Sequence, residues 1–268
     1  MFQNIDGVVA EEVNYSKKRI NKLRLFANVF EIRNIAIYVI SLMISTVGLG
    51  GDISPFSISI FAACFANTIP LLGVVVVTLI GTAIKFGLSG LLTYMLTALV
   101  MIATFFIIKP RYNEEERNEK VKVAKNVFIS TFLVQLAKMM MSGFTIYDFL
   151  VSITFAVVAV VFYKIFVNSL VMLQDFTEKR AFSIEEVIGS SLLLALAVSC
   201  FGDLSVFGFG IRNILSILIV MFLGWKNGIL VGTTAGVTIG VTIGIIANTE
   251  PIMIAAYAIS RNGSRSFK

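Results

Sequence analysis

The feature that most constrains this chain is a succession of apolar stretches separated by short polar connections. A helix needs about 20 apolar residues to cross a bilayer core. Because a backbone in lipid has no water to bond, such stretches form helices there. The sequence therefore predicts an all-α, polytopic transmembrane helix bundle with about nine or ten spans. The predicted spans are 34–49, 55–69, 71–84, 87–108, 127–143, 147–172, 187–201, 211–225, 228–247 and a last one that begins near Pro251.

Composition supports a membrane protein and disfavours an enzyme. Hydrophobic residues make up 57% of the 268 residues and charged residues 14%, and the mean hydropathy is +0.90. Soluble domains have about 45 to 50% apolar and about 25% charged residues. The chain has no histidine and only two cysteines, Cys64 and Cys200, which we interpret as small buried hydrophobes. A zinc site, a histidine base and a hydrolase triad are therefore not expected, and no cofactor or catalytic residue is predicted.

Three regions are predicted. Residues 1–33 form a basic cytoplasmic segment, residues 34–260 the transmembrane domain, and residues 261–268 a polar tail. The runs 55–69 and 71–84 are short for complete spans. Pro70 between them predicts a turn, so they are either a re-entrant pair or one long kinked helix.

The distribution of basic residues predicts the orientation. Lysine and arginine are concentrated in the N-terminal segment, in the loops that begin at Lys109 and Gln174, and at the turn near Trp225. With ten spans, all four segments lie on one side of the membrane. The positive-inside rule then places both termini in the cytoplasm.

The N-terminal segment is also amphipathic. Ile20, Leu23 and Phe30 recur at helical spacing among basic residues, and no cleavable signal peptide is expected. Such a segment suits an anionic cytoplasmic leaflet, so the lipid bilayer is the expected partner and nucleic acid is not. A helix that recruits another protein is the alternative. The basic residues are Lys17, Lys18, Arg19, Lys22 and Arg24.

A short motif occurs twice. The stretches GDISPF and GDLSVF agree at their glycine, aspartate, serine and phenylalanine, and an even number of predicted spans separates them. This spacing predicts a parallel internal repeat, with a chance match in a biased composition as the alternative. The matched residues are Gly51, Asp52, Ser54 and Phe56 in the first copy and Gly202, Asp203, Ser205 and Phe207 in the second.

The paired aspartates have two interpretations. Asp52 and Asp203 can cap the helix that follows each turn, while the glycines permit the turn itself. Alternatively, they are acidic groups on a substrate or ion pathway. We favour paired turn-and-cap units.

A ridge of small residues marks the ninth predicted span. In lipid, glycines four residues apart let another helix approach closely, and neighbouring threonines can hydrogen-bond across the contact. Packing within the bundle or between protomers is the favoured interpretation, and a glycine-lined translocation path is the alternative. The ridge consists of Gly228, Gly232, Gly236, Gly240 and Gly244.

Two lysines lie within predicted spans. Lys138 and Lys164 suggest a proton or substrate relay if a carboxylate partners them, but no acidic residue is predicted in mid-span. Because each lies toward a span end, snorkelling to the interface is the favoured interpretation.

The stretches LGGDISPFSISIFAA and FGDLSVFGFGIRNILSILIVMFLGWKNGILVGTTAGVTIGVTIGI resemble the N-terminal membrane region of stage II sporulation protein E. The resemblance covers nearly all of residues 30–259. In that family a cytoplasmic, manganese-dependent protein serine phosphatase domain follows, and it activates a forespore sigma factor. The resemblance also implies association with the cell-division machinery at the polar septum. No phosphatase motif or metal-binding aspartate matches a position here, so this chain is expected to be non-catalytic and to bind no manganese.

Two functions follow as hypotheses. The first is a membrane domain that anchors, positions and oligomerises a sporulation phosphatase, with the division machinery and further copies of itself as partners. The second is a small-solute transporter or channel built from two parallel helical repeats. The main interior amides, Asn67, Gln135 and Asn168, lie near span ends, which favours the anchor.

Overall fold

The computed structural model describes residues 31–48, 54–107, 116–174, 183–202 and 204–247. Within these ranges the chain is helical except for one small β-hairpin, which confirms the predicted all-α class. The number of membrane spans and the parallel repeat remain predictions. The elements are α1 (Ile32–Ser45), α2 (Pro55–Ala66), α3 (Leu71–Ile107), α4 (Glu116–Ser142), α5 (Ile146–Gln174), α6 (Ile184–Ser199), β1 (Ser205–Val206), β2 (Phe209–Gly210), α7 (Ile211–Asn227) and α8 (Ile229–Ala247).

Helix α2 lies at the centre of the bundle. It packs against α1, α3, α4 and α5, and every residue from Pro55 to Cys64 is buried. A helix that is apolar all round can be buried in this way. Its phenylalanines contact rings on two neighbours. Phe56 lies edge-on to Phe162 of α5, and Phe65 lies edge-on to Phe105 of α3, with 4.6 Å between ring centroids in both pairs.

The turn between α2 and α3 reverses the chain. Thr68 adopts a left-handed conformation with φ of 53°, and α3 begins directly after Pro70. Ser57 of α2 and Gly81 of α3 both lie next to Ser45, near the end of α1. The alternative of one long kinked helix through Pro70 is therefore wrong, because the two helices double back beside α1.

The long helix α3 is a helical hairpin broken at Gly87. This glycine has φ of 64° and ψ of −156°, which are not helical values. The hydroxyls of Thr78 and Tyr94 lie 2.7 Å apart, although a straight helix would separate these residues by roughly 24 Å. The predicted boundary between the runs 71–84 and 87–108 thus coincides with the break.

Helix α4 begins earlier than predicted. The apolar run begins near residue 127, but the helix already begins at Glu116. The intervening residues are rich in lysine, glutamate and arginine, which are good helix formers. A prediction based on apolar runs misses such an extension. The start of an apolar run marks where a helix is expected to enter lipid, and the helix itself can begin earlier.

Contacts between helices show which helix ends lie together at each of the two ends of the bundle. At the first, which we name the Val47 end, Ser54 bonds to Val47, Gly48 lies against Phe86, and Cys200 lies close to Thr46. The opposite end, which we name the Asn67 end, is marked by a second set of contacts, and successive segments therefore run in alternating directions. These contacts are Asn67 to Val167 at 3.0 Å, Tyr163 to Lys120 at 3.1 Å and Tyr38 to Pro70 at 3.4 Å.

Among the described residues, two helices are long and apolar enough to cross a membrane, Leu71–Ile107 and Ile146–Gln174. The break at Gly87 divides the first into segments of roughly 24 and 30 Å, so it suits two crossings better than one. The second is roughly 43 Å long and exceeds a hydrocarbon core of about 30 Å.

Candidate functional site

The described residues of the two Gly-Asp motifs lie at the Val47 end of the bundle. The first follows α1 and the second follows α6, and Cys200 at the end of α6 lies close to Thr46 at the end of α1. The predicted placement of both motifs on one face of the membrane stays a prediction. Gly51, Asp52 and Asp203 lie outside the described residues.

The described positions of the two copies differ in structure. Ser54 is buried and donates a hydrogen bond to the carbonyl of Val47 at 2.5 Å, whereas its counterpart Ser205 is exposed in strand β1. Phe56 is 2% exposed and its counterpart Phe207 is 97% exposed. The two copies are therefore not equivalent structural units at these positions.

The caps predicted at Asp52 and Asp203 lie outside the described residues. Helix α7 begins at Ile211 with Gly210 in the N-cap position, because the second half of the motif, from Ser205 to Phe207, belongs to a β-hairpin that precedes this helix. In the first copy, Ser54 occupies the N-cap position of α2 and Pro55 follows it at the first helical position. Proline is favoured there because its missing N–H has no helical partner to lose.

The glycine ridge of α8 faces the interior. Gly232, Gly236 and Gly240 are buried and Gly244 is half-buried, while Gly228 ends α7 with φ of 96°. Ile239 and Ile243 of α8 share a buried cluster with Ala195 of α6 and Val220 of α7. Burial within one chain agrees with helix packing inside the bundle. Among the described residues, the hydroxyls of Thr233, Thr234, Thr238 and Thr242 donate to carbonyls of their own helix and make no bond to another helix.

The polar links between helices lie elsewhere, at positions that the sequence did not single out. Ser59 donates to the carbonyl of Ala159 at 2.8 Å and joins α2 to α5. Asn126 is 2% exposed, and its amide donates to the carbonyl of Met101 at 2.8 Å. It also accepts a hydrogen bond from Thr104. The spacing of apolar residues gave no signal for Asn126, which follows Lys125 and resembles a loop residue.

The two lysines of the predicted spans occupy different surroundings. Lys164 is exposed and lines a groove between α5 and α6 together with Asn168 and Glu185. Glu185 lies in the first turn of α6, and its position in the sequence gives no sign that it shares a groove with this lysine. Lys138 is half-buried. Because the groove lies close to the Asn67 end, it agrees better with a snorkelling lysine than with a relay in mid-membrane.

The predicted basic segment and the predicted last span lie outside the part of the chain that the structure describes. The basic residues are Lys17, Lys18, Arg19, Lys22 and Arg24, and the tail 261–268 lies outside that part as well. Among the residues that the structure describes, no group of three or more histidine, cysteine, aspartate or glutamate side chains could hold a metal ion. The absence of a cofactor stays a prediction.

Comparison with known proteins gave one informative result. Residues 3–260 match the family model described as "SpoIIE, N-terminal domain". Neither the curated proteins nor the solved structures gave a significant match. The family match thus covers the region over which the sequence resemblance was found.

Proposed function

The chain belongs to the family of SpoIIE N-terminal domains, and on that basis we propose that it is the membrane-anchoring domain of a sporulation serine phosphatase. In this role the domain positions the enzyme at the polar septum, associates with the cell-division machinery and self-associates. The proposal assigns the chain no catalysis and no cofactor, and it leaves manganese chemistry to a separate phosphatase domain.

The observation that carries the proposal is the family match over residues 3–260 on a bundle of apolar helices. The packing supports an anchor over a transporter. The central helix α2 is buried from Pro55 to Cys64, and its serine Ser59 bonds to a neighbouring backbone. Polar groups committed to joining helices are not available to line a path for a solute.

The proposed orientation places the Asn67 end in the cytoplasm. The basic segments of the sequence flank helices at this end, as the positive-inside rule requires. The N-terminal basic residues, from Lys17 to Arg24, then face the anionic cytoplasmic leaflet. Both termini are cytoplasmic in a ten-span arrangement.

Localisation in a sporulating cell tests the proposal. The chain is fused to a fluorescent protein and imaged at the stage of polar division, beside a control fusion that carries an unrelated polytopic membrane protein. We expect the chain to be enriched at the polar septum relative to the lateral membrane, and the control to be uniform. Uniform distribution of both fusions would contradict the proposed positioning role.

Reconstitution tests the alternative of transport. The purified chain in proteoliposomes is expected to take up labelled small solutes no faster than protein-free liposomes. Uptake that Asp52→Asn and Asp203→Asn abolish would overturn the anchor proposal, because those aspartates are the acidic groups placed on the alternative pathway.

A further inference from the structure

The connection between α6 and α7 is an amphipathic β-hairpin. Val206 pairs with Phe209 and Ser205 pairs with Gly210 across the two strands. Directly paired residues share a face, and alternate residues of a strand point the same way. Leu204, Val206 and Phe209 therefore form one apolar face, opposite Ser205 and Gly210. These three apolar side chains are 60%, 47% and 69% exposed, so the described chain does not cover that face.

The tip of the hairpin carries a strained aromatic residue. Phe207 and Gly208 form the two-residue turn, with φ of 52° and 82°. A turn of this kind favours asparagine or glycine at its first position, because a bulky residue is unfavourable in the left-handed region. The ring of Phe207 nevertheless stands at the tip and is 97% exposed. Strain that serves no packing against the described residues points to an external contact.

The hairpin stands at the Val47 end of the bundle. It follows α6, whose last residues contact α1 through Cys200 and Thr46. In the proposed orientation this end lies at the outer surface of the membrane. The segment 204–210 contains no charged residue, so no charge would have to be desolvated on entering lipid. Phenylalanine and leucine are among the side chains that amphipathic segments bury at the boundary between headgroups and acyl chains.

We propose that the hairpin inserts the face formed by Leu204, Val206 and Phe209, together with the ring of Phe207, into the outer leaflet of the bilayer. It enters at the boundary between headgroups and acyl chains and holds the α6–α7 connection against the membrane. Phospholipid is the occupant that fits, because the face is apolar and uncharged and lies beside helices that themselves cross the bilayer. The inference rests on the proposed membrane function.

Tryptophan fluorescence tests the insertion. The chain has a single tryptophan, Trp225, so Phe207→Trp is made in a Trp225→Phe background. The variant is reconstituted in phosphatidylcholine vesicles with or without bromine on the upper acyl chain. We expect brominated lipid to reduce the emission at least twofold, and iodide added outside to have little effect. Strong quenching by iodide and none by brominated lipid would overturn the proposal.

Two matched variants in the same background make the outcomes distinguishable. Ser205→Trp, on the opposite face of the hairpin, is expected to remain open to iodide and little affected by brominated lipid. Leu218→Trp, at an exposed position of α7, reports whether the protein lies in the bilayer at all. If brominated lipid leaves the variant at 218 unquenched, the membrane function itself fails. If only the variant at 218 is quenched, the hairpin inference fails alone.

A second copy of the chain, or a soluble partner, is the competing occupant of the apolar face. Protection of the tryptophan introduced at position 207 from iodide, without quenching by brominated lipid, would point to protein contact and overturn the lipid assignment. Repeating the measurement at a tenfold lower ratio of protein to lipid separates the two cases, because protection by a second copy falls on dilution and insertion into lipid does not.

Discussion

At the residue scale, single buried polar side chains join neighbouring helices. Asn126 of α4 bonds to Met101 and Thr104 of α3, and Ser59 of α2 bonds to Ala159 of α5. Hydrogen bonds between transmembrane helices contribute about 0.6 kcal/mol on average. A buried amide with two partners lies above that average, because losing it leaves a carbonyl and a hydroxyl with fewer partners.

The first prediction concerns this amide. We expect Asn126→Leu to lower the free energy of unfolding by about 1 kcal/mol, because it removes both links between α3 and α4 while keeping the side-chain volume similar. Denaturant titration in detergent micelles, followed by circular dichroism, measures the change. Asn168→Leu is the matched control, since Asn168 is an exposed amide, and it is expected to have little effect. Equal losses in the two variants would refute a special role for Asn126.

At the element scale, small residues allow close approach of helices. Gly81 of α3 faces α1, where an added Cβ would lie 1.8 Å from the hydroxyl of Ser45 and 2.8 Å from the carbonyl of Leu42. On α8, the buried Gly232, Gly236 and Gly240 lie on the side that packs against the rest of the bundle. The close approach of α3 to α1 depends on the absence of a side chain at Gly81.

The second prediction concerns the contact between α1 and α3. Gly81→Ala is expected to destabilise the fold by about 1 to 3 kcal/mol, the usual range for overpacking. Ser45→Ala removes the nearest clashing atom, so the double variant is expected to lose less than the sum of the single losses. A double-mutant cycle in detergent measures this coupling. Simple additivity would show that the clash is relieved elsewhere.

The third prediction concerns the glycine ridge. Gly236→Leu is expected to displace α8 and lower stability by about 1 to 3 kcal/mol, because Gly236 is buried. Thr233→Leu adds a side chain of similar size at an exposed position of the same helix and is expected to be near neutral. Thermal unfolding in detergent compares the two variants. If Thr233→Leu proved the more damaging, the ridge would face lipid or a partner and not the bundle.

At the scale of the whole molecule, alternating helix directions give the bundle two distinct ends. The hairpin β1–β2 lies at the Val47 end, and the turn between α7 and α8 lies at the other, because α7 separates them. In the proposed orientation, the second end, with Lys226, faces the cytoplasm.

The fourth prediction tests this assignment by cysteine labelling. In a background with Cys64→Ala and Cys200→Ala, Ser205→Cys is expected to react with a membrane-impermeant maleimide added to intact cells. Lys226→Cys is expected to react only after the membrane is permeabilised, because both positions are exposed but lie at opposite ends. Labelling of both variants in intact cells, or of neither, would contradict the alternating arrangement.

The match between sequence and structure is best where a local rule applies. Gly87 and Pro70 interrupt the apolar runs, and the chain breaks or turns at both. The hairpin was missed, although Leu204, Val206 and the Phe207-Gly208 pair carry an alternating pattern and a turn residue. The repeated Gly-Asp motif in the same stretch pointed to a helix cap instead of a hairpin. The role of Asn126 could not be assigned, because its partners lie on another helix at a sequence separation that no local pattern encodes.

The sequence by itself determined the helical class and the approximate ends of the apolar helices, because these depend on hydropathy, glycine and proline, which act locally. The family also followed from the sequence, through the resemblance of whole stretches. Only the tertiary structure decided that α2 is the central helix, that the two Gly-Asp motifs lead into different structures, and that the threonines of α8 bond within their own helix. Those outcomes depend on which surfaces meet. Several apolar helices of similar length can be packed in many orders, and it is shape and the few polar links between them that select one.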